Sequence, residues 1–411
     1  MGACAVDTTD DQVASESSDI SISLPNDFPF LDDSGLAGTF SVTGKVDLTN
    51  GFFKSFGING RTCGSCHKPD SGWTVSLDDI NLTFDFTFGL DPLFRPVDGA
   101  NQPNADVSTI GKRRQAYSNL LTRGTIRVGI GMPATSDFTL TAVDDPYGYA
   151  SAAQLSLFRR PLPATNLEFI PVVMWDGRVT GTSLEDALGN QADGATQGHA
   201  QSPNPLPPAA RASIVAFETG TFNAQMIGFR DGTLTAQGAL GGPNNLASQT
   251  EVAGAFDLFD AWATSKDPHR QSVYRGQVLF NTRLRTTGAG ACSGCHDSQN
   301  AGTSAEGKFF NVQVAAEENR TPDLPLYTFT QSGTGTVVQV SDPGLGLIDG
   351  QFKDIGKFKV PGLRGLAARA PYFHNGSAQT LLDVVRFYEA NVNFEFTPDE
   401  ETDLVNFLEA L

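Results

Sequence analysis

Two short boxes, Cys63-Gly64-Ser65-Cys66-His67 and Cys292-Ser293-Gly294-Cys295-His296, constrain this chain more than any other feature. Each is a Cys-x-x-Cys pair with a histidine directly behind it. Four of the five cysteines are committed to the boxes, so no disulfide framework is available. Two such pairs can build a zinc ribbon, but ribbon pairs stand ~15–20 residues apart, and these begin at positions 63 and 292. A redox dithiol is the other alternative, although it usually accompanies a βαβ pattern that the sequence does not show. The histidine behind both pairs favours a c-type haem attachment site. The two thiols add to the two vinyl groups of one porphyrin, and the adjacent imidazole reaches the iron. On this reading Cys63, Cys66, Cys292 and Cys295 carry two covalently bound haem c groups, and His67 and His296 are iron ligands.

The remaining composition narrows partners and compartment. With 46 acidic against 28 basic residues the net charge is −18, which excludes nucleic acid as an expected partner. Such a field steers in a basic electron carrier, or simply keeps the chain soluble. Thioether formation needs reduced thiols and haem delivered outside the cytoplasm, so the periplasm or cell envelope is expected. Met1-Gly2-Ala3-Cys4 has no apolar run before it, so no signal peptide is read there. Gly2-Ala3-Cys4 resembles the tail of a bacterial lipobox, whose cysteine would be lipidated; an unmodified thiol is the alternative. That lipid would be the sole membrane contact, because no run of eighteen apolar residues exists.

The expected fold is mainly α, with two c-type cytochrome domains in tandem and β-hairpin insertions in the first. The expected divisions are 1–34, a flexible tether; 35–262, the first domain; and 263–411, the second. Asn50 to Phe56 reads as a short helix before the first box, and Arg275 to Phe280 plays the same part before the second, a weak internal repeat. Leu82, Phe84, Phe86 and Phe88 alternate, as do Ile126, Val128 and Ile130, and then Phe138 and Leu140; these predict strands, with residues 129–133 closing a hairpin. A helix is predicted around 211–217. Thr380 to Asp383 and Thr397 to Glu400 have capping-box spacing. Leu381, Val384, Val385 and Tyr388 then share one helical face, and Leu404, Phe407, Leu408 and Leu411 share another.

Four stretches together resemble the bacterial di-haem cytochrome c peroxidases and their MauG-type relatives. They are the two boxes, Met174-Trp175-Asp176-Gly177-Arg178, the run from Lys357 to Arg364, and Ala370-Pro371-Tyr372-Phe373-His374-Asn375-Gly376-Ser377 leading into the Tyr388 helix. The resemblance implies several roles. The far-side ligand of the second haem falls seventeen residues past Pro371, at Tyr388, where MauG-type members carry tyrosine and peroxidases methionine. A buried core tyrosine is the alternative. Trp175 matches the tryptophan between the haems, as a conduit for electrons or as core. No histidine stands near Thr83, where peroxidases often carry a distal one, so the first iron is expected to be open or water-bound. Gln191 and Gln201 keep the spacing of a distal Gln–Glu pair, with glutamine in place of the acid. Glutamine cannot shuttle a proton at neutral pH, which leaves His199 as shuttle, axial ligand or plain loop residue. His374 is expected beside the second haem without ligating it. Arg114 aligns with the family's calcium-binding asparagine, with the carbonyls of Arg369 and Pro371 completing that site, so a family-type calcium site is not expected.

The function so implied is hydrogen-peroxide-dependent oxidoreduction. Peroxide reacts at the first haem, and Trp175 and the second haem relay electrons from a small donor protein or a protein substrate. A haem dioxygenase using the open first haem, or a non-catalytic di-haem electron carrier, are the alternatives.

Overall fold

A computed structural model of the chain describes residues 22–288 and 290–411. Cys4 and its lipid reading lie outside the described residues. The described part of the expected tether already contains strands: Ser23–Pro25 pairs with Lys45–Asp47, and Phe30–Leu31 with Gly35–Ser41.

The helices form where capping chemistry announces them. Leu184–Gly198 opens with the Ser183 hydroxyl accepting from the Asp186 amide, and two acids occupy its first turn. Pro208–Thr219 covers the helix predicted around 211–217. Leu381–Val392 and Pro398–Glu409 both open with complete capping boxes, at Thr380/Asp383 and Thr397/Glu400. The last helix lies against Pro268–Thr282 at a very close approach. A Cβ on Gly276 would stand 1.9 Å from the Asp403 carbonyl oxygen, so only glycine fits there. Arg275 and Ser272 hold the Asp403 carboxylate across this contact at 2.6–2.7 Å. Phe280, Phe407, Phe256, Phe259 and Trp262 fill the core around it, and Cys292 packs on its edge. A separate cluster of Phe52, Trp73, Ile214 and Phe217 holds Cys63. Each box therefore rests on its own apolar core. Before the first box, the expected short helix is one 3-10 turn, Gly51–Phe53.

The mainly α expectation holds only in part, because among the described residues the helices share the chain with five small sheets. Two strand assignments need correction. Leu82, Phe84, Phe86 and Phe88 do not form a strand; Leu77–Thr87 is an α-helix capped by Ser76, with Asp78 and Asp79 in its first turn, and Phe88 is its C-cap. Ile80 and Phe84, one turn apart, are its buried pair, whereas Phe86 is 77% exposed. The cap outweighs an alternation whose apolar residues mostly face outward. The second correction concerns pairing. Ile126–Ile130 and Phe138–Asp144 are strands, but residues 129–133 do not join them as a hairpin. Ile126–Ile130 pairs antiparallel with Leu155–Arg159, and Phe138–Asp144 pairs with Leu326–Gln331 from far along the chain. Leu155–Arg159 is buried at every position and so shows no alternation to read. The Leu326–Gln331 sheet is thus built from both sides of the boundary expected near residue 262, with Phe138 against Phe329 at 5.3 Å.

Candidate functional site

Each box lines its own cavity. Cys63, Cys66 and His67 line one of about 1630 Å³, its open mouth included. Cys292, Cys295 and His296 line another of about 1850 Å³. All four cysteines are free. Burial pushes the thiols up, to about 12 at Cys63, about 11 at Cys66 and about 12 at Cys292, so they stay protonated. The two histidines are held alike. His67 Nδ1 donates to the Trp73 carbonyl at 3.0 Å, and His296 Nδ1 to the Gly302 carbonyl at 2.6 Å. Both carbonyls belong to the sixth residue after the histidine, and both residues adopt left-handed φ, +61° at Trp73 and +67° at Gly302. For a residue as bulky as tryptophan that conformation is uncommon. A carbonyl only accepts, so Nδ1 carries the proton and Nε2 keeps its lone pair. Burial lowers the pKa of both rings, to about 4 at His67, which keeps them neutral as metal ligands must be.

This donor set fits a c-type haem in each cavity: two neutral thiols beside one neutral imidazole with its outer nitrogen pinned. It does not fit one zinc ribbon. The two Cys-x-x-Cys pairs lie in different cavities, and no three His, Cys, Asp or Glu side chains cluster as a metal site among the described residues.

His199 caps the C-terminus of Leu184–Gly198 and lines the first cavity. Its Nδ1 pairs with Asp98, whose other carboxylate oxygen pairs with Arg61, two residues before the first box. Burial alone would raise the Asp98 pKa, but the Arg61 charge and His199 outweigh it and hold the carboxyl below its ordinary value. Arg61, Asp98 and His199 therefore form one chain from the box to the cavity lining. Gln191, two helical turns before His199, lines the same cavity. Gln201 does not: it is exposed, with φ +56°, and its side-chain oxygen accepts from Asn59 at 3.2 Å. Asp98 carries no sequence signal, and only the fold brings it to His199. Glu218 was equally unforeseen. It lines the first cavity, buried, with Oε2 unpartnered, and burial pushes its carboxyl up to about 8.

The cavities share a wall. Arg160 to Pro163, Trp175, Lys359 and Arg369 line both. Trp175 Nε1 donates to the Arg160 carbonyl at 2.9 Å. The next residue, Asp176, is buried between Arg159 and Arg178, and Arg159 also holds Asp342 at 2.7 and 2.9 Å. This network fixes the Trp175 loop against a distant part of the chain.

No protein-family model matches the chain. Among characterised proteins it is similar to cytochrome-c peroxidase IdrP1 of Denitromonas iodatirespirans, 32% identical over 174 residues, 37% of this chain and 44% of that protein. Cytochrome-c peroxidase IdrP2 of the same organism is 28% identical over 281 residues, 64% of this chain and 70% of the relative. Methylamine utilization protein MauG of Methylophilus methylotrophus is 23% identical over 274 residues, 63% and 70% of the two chains.

The chain is similar to cytochrome-c peroxidases and to MauG.

It spans 44% and 46% of the lengths of the first two curated relatives it matches. Among solved structures, a MauG-like protein associated with microbial copper homeostasis is similar over 64% of this chain and 75% of its own, at 18% identity and a TM-score of 0.39.

Tyr388 lines the second cavity with Leu381, Val384 and Val385, the face read from the sequence. Its hydroxyl makes no hydrogen bond among the described residues. Burial, then the nearby Cys292 and Cys295, raise its pKa above the ordinary phenol value. A phenolate there requires a bound cation to offset that burial. His374 stacks on Phe358 at 4.0 Å and meets the Trp175 ring edge at 6.2 Å. Burial keeps it neutral by lowering its pKa to about 4.

The Arg369 carbonyl, one of the oxygens the resemblance gave to a calcium ion, accepts from Arg160 Nη2 at 3.2 Å, so a guanidinium stands on the side of that oxygen. Arg114 is exposed, pairs with Asp85 at 2.7 Å and covers the Phe84 ring.

Proposed function

We propose that this chain is a hydrogen-peroxide-dependent di-haem oxidoreductase, with peroxide reacting in the first cavity and Trp175 relaying electrons to the second. The observation that carries the reading is the buried Asp98 carboxylate holding His199 on the lining of the cavity that contains Cys63, Cys66 and His67. Bound covalently through both cysteine pairs, the haems supply the redox equivalents and the metal at which peroxide is reduced. Reducing hydrogen peroxide to two waters consumes two electrons and two protons, and its cleavage requires a proton moved from one oxygen to the other. With Nδ1 tied to Asp98, His199 performs that transfer at Nε2. Gln191 donates a hydrogen bond to the bound peroxide, while exposed Gln201 has no part in this reading. Trp175, in the shared wall and braced by its Nε1 bond to the Arg160 carbonyl, carries electrons between cavities. Tyr388 would hold the second iron as phenolate, and such a ligand would favour the oxidised states of the metal over those a methionine favours. The acidic surface draws in a basic donor protein, and the work is done in the periplasm or cell envelope, with lipid on Cys4 as the anchor.

The test begins with mass. Denatured protein must weigh two haems more than its chain, and a ferric sample must show a high-spin component that reacts with hydrogen peroxide. Two low-spin haems inert to peroxide and carbon monoxide would establish an electron carrier instead. Turnover with dioxygen in the absence of peroxide would establish an oxygenase.

A further inference from the structure

Four cations in the wall of the cavities are buried, yet none pairs with a carboxylate. Arg160, Lys359, Arg364 and Arg369 are all under a tenth exposed. The chain carries 46 acidic residues, yet among the described residues none forms an ion pair with these four. Their hydrogen bonds run to backbone carbonyls. Arg159, adjacent in sequence, shows that the fold pairs a buried cation where it needs to, since it holds both Asp176 and Asp342. Leaving buried charges unpaired costs several kcal/mol each, unless an anion arrives with a ligand.

The four are not equivalent. Arg160 is filled by carbonyls, those of Val75 at 2.6 Å, Arg123 at 3.2 Å and Arg369 at 3.2 Å, and so braces the wall. The other three keep donors to spare. The Lys359 ammonium has three protons and one partner, the Val172 carbonyl at 2.8 Å. Arg369 uses Nε and Nη2, on the Gly365 and Gly362 carbonyls at 3.1 and 3.0 Å. Arg364 makes two long bonds, to the Asn300 carbonyl at 3.3 Å and the Gly242 carbonyl at 3.5 Å, and its buried Nε has no partner. Lys359 and Arg369 line both cavities, and Arg364 lines the first.

We propose that Lys359, Arg364 and Arg369 form a carboxylate-receiving wall, on which the propionates of the two porphyrins dock. This rests on the reading that each cavity holds a haem. A porphyrin of this type brings two carboxylates, so the pair brings the negative charge that the wall lacks. Burial lowers the three pKa values, to about 8 at Lys359 and about 10 at Arg364 and Arg369, as expected for cations awaiting a counter-charge. The wall also holds Trp175, so the carboxylate edges of both groups are fixed beside the proposed electron path. A small organic acid is the other source of the same chemistry.

The test uses the holoprotein and the variants Lys359→Gln, Arg364→Gln and Arg369→Gln, with Arg364→Lys as the charge-conserving control. Resonance Raman spectroscopy reads the propionate bending modes of each haem, and a spectroelectrochemical titration reads each midpoint potential. Arg364→Gln is expected to shift the propionate modes and lower the potential of the first haem alone. Arg369→Gln and Lys359→Gln are expected to affect both haems, and Arg364→Lys to restore most of the potential. If a glutamine variant does not fold, the conservative lysine variant still reports through the Raman shift. Propionate modes unchanged in every folded variant overturn the proposal. So does succinate that perturbs the wild-type spectrum and loses this effect in the variants while the propionate modes stay fixed, which would assign the wall to a soluble acid. A chain lacking two haems by mass would instead remove the functional reading on which the proposal rests.

Discussion

Replacing Asp98 by asparagine separates two tasks performed by one carboxylate. Toward Arg61 it neutralises a guanidinium in the interior, the two side chains being 3% and 5% exposed. Arg61 would keep its bonds to the Pro92 and Leu93 carbonyls, at 2.8 and 2.7 Å, but would lose its counter-charge. Removing one partner of a buried pair costs ~3–5 kcal/mol. Toward His199, whose side chain is 37% exposed, the same carboxylate contributes no more than about 1 kcal/mol to stability. Its value there is orientation and tautomer. Asp98→Asn should therefore lower the free energy of unfolding in denaturant titrations by ~3–5 kcal/mol, and His199→Ala by less than about 1 kcal/mol. Stopped-flow reaction with hydrogen peroxide should slow in both, by ~10²–10⁴-fold for His199→Ala, the usual worth of a positioned acid–base group. The double variant should react no more slowly than His199→Ala, because the two act through one proton path. An Asp98→Asn protein as stable as the parent would refute the buried-pair argument. Full peroxide reactivity in His199→Ala would refute the proton role.

Three further outcomes are expected. Glu218 is protonated in the fold up to about pH 8, but in the unfolded chain it ionises near its ordinary value of 4.5. Between these values the unfolded state binds fewer protons, so this group makes stability fall as pH rises, by on the order of 4 kcal/mol across the window. Glu218→Gln should remove that slope in unfolding curves at pH 5 and pH 8, and equal slopes for both proteins would show that the carboxyl is not buried in this way. Gly276→Ala should push Pro268–Thr282 away from Pro398–Glu409 and cost ~3 kcal/mol or more, and a melting temperature unchanged by the methyl would contradict the close approach. Tyr388→Phe should change the spectrum of the second haem alone, and two unmoved spectra would end the ligand assignment.

Much of the site was legible because its signals are local. Both boxes, the two terminal capping boxes, the apolar face holding Tyr388 and the Trp175 motif are patterns within a few residues, set by covalent geometry and helical period. The wrong strand at 82–88 shows the limit of such reading: alternation suggested a sheet, but Ser76 and the following acids nucleated a helix. Strand partners were beyond reach, since Phe138–Asp144 pairs with residues near 326–331 and nothing in either segment names the other. Sequence alone determined that two cysteine pairs would each stand beside a histidine. Only tertiary structure decided that they occupy adjoining cavities, that Asp98 meets His199, and that four cations without carboxylate partners among the described residues line the cavities around Trp175. Charge pairing and burial depend on distances across the folded molecule, and those are set by the packing of segments far apart in the chain.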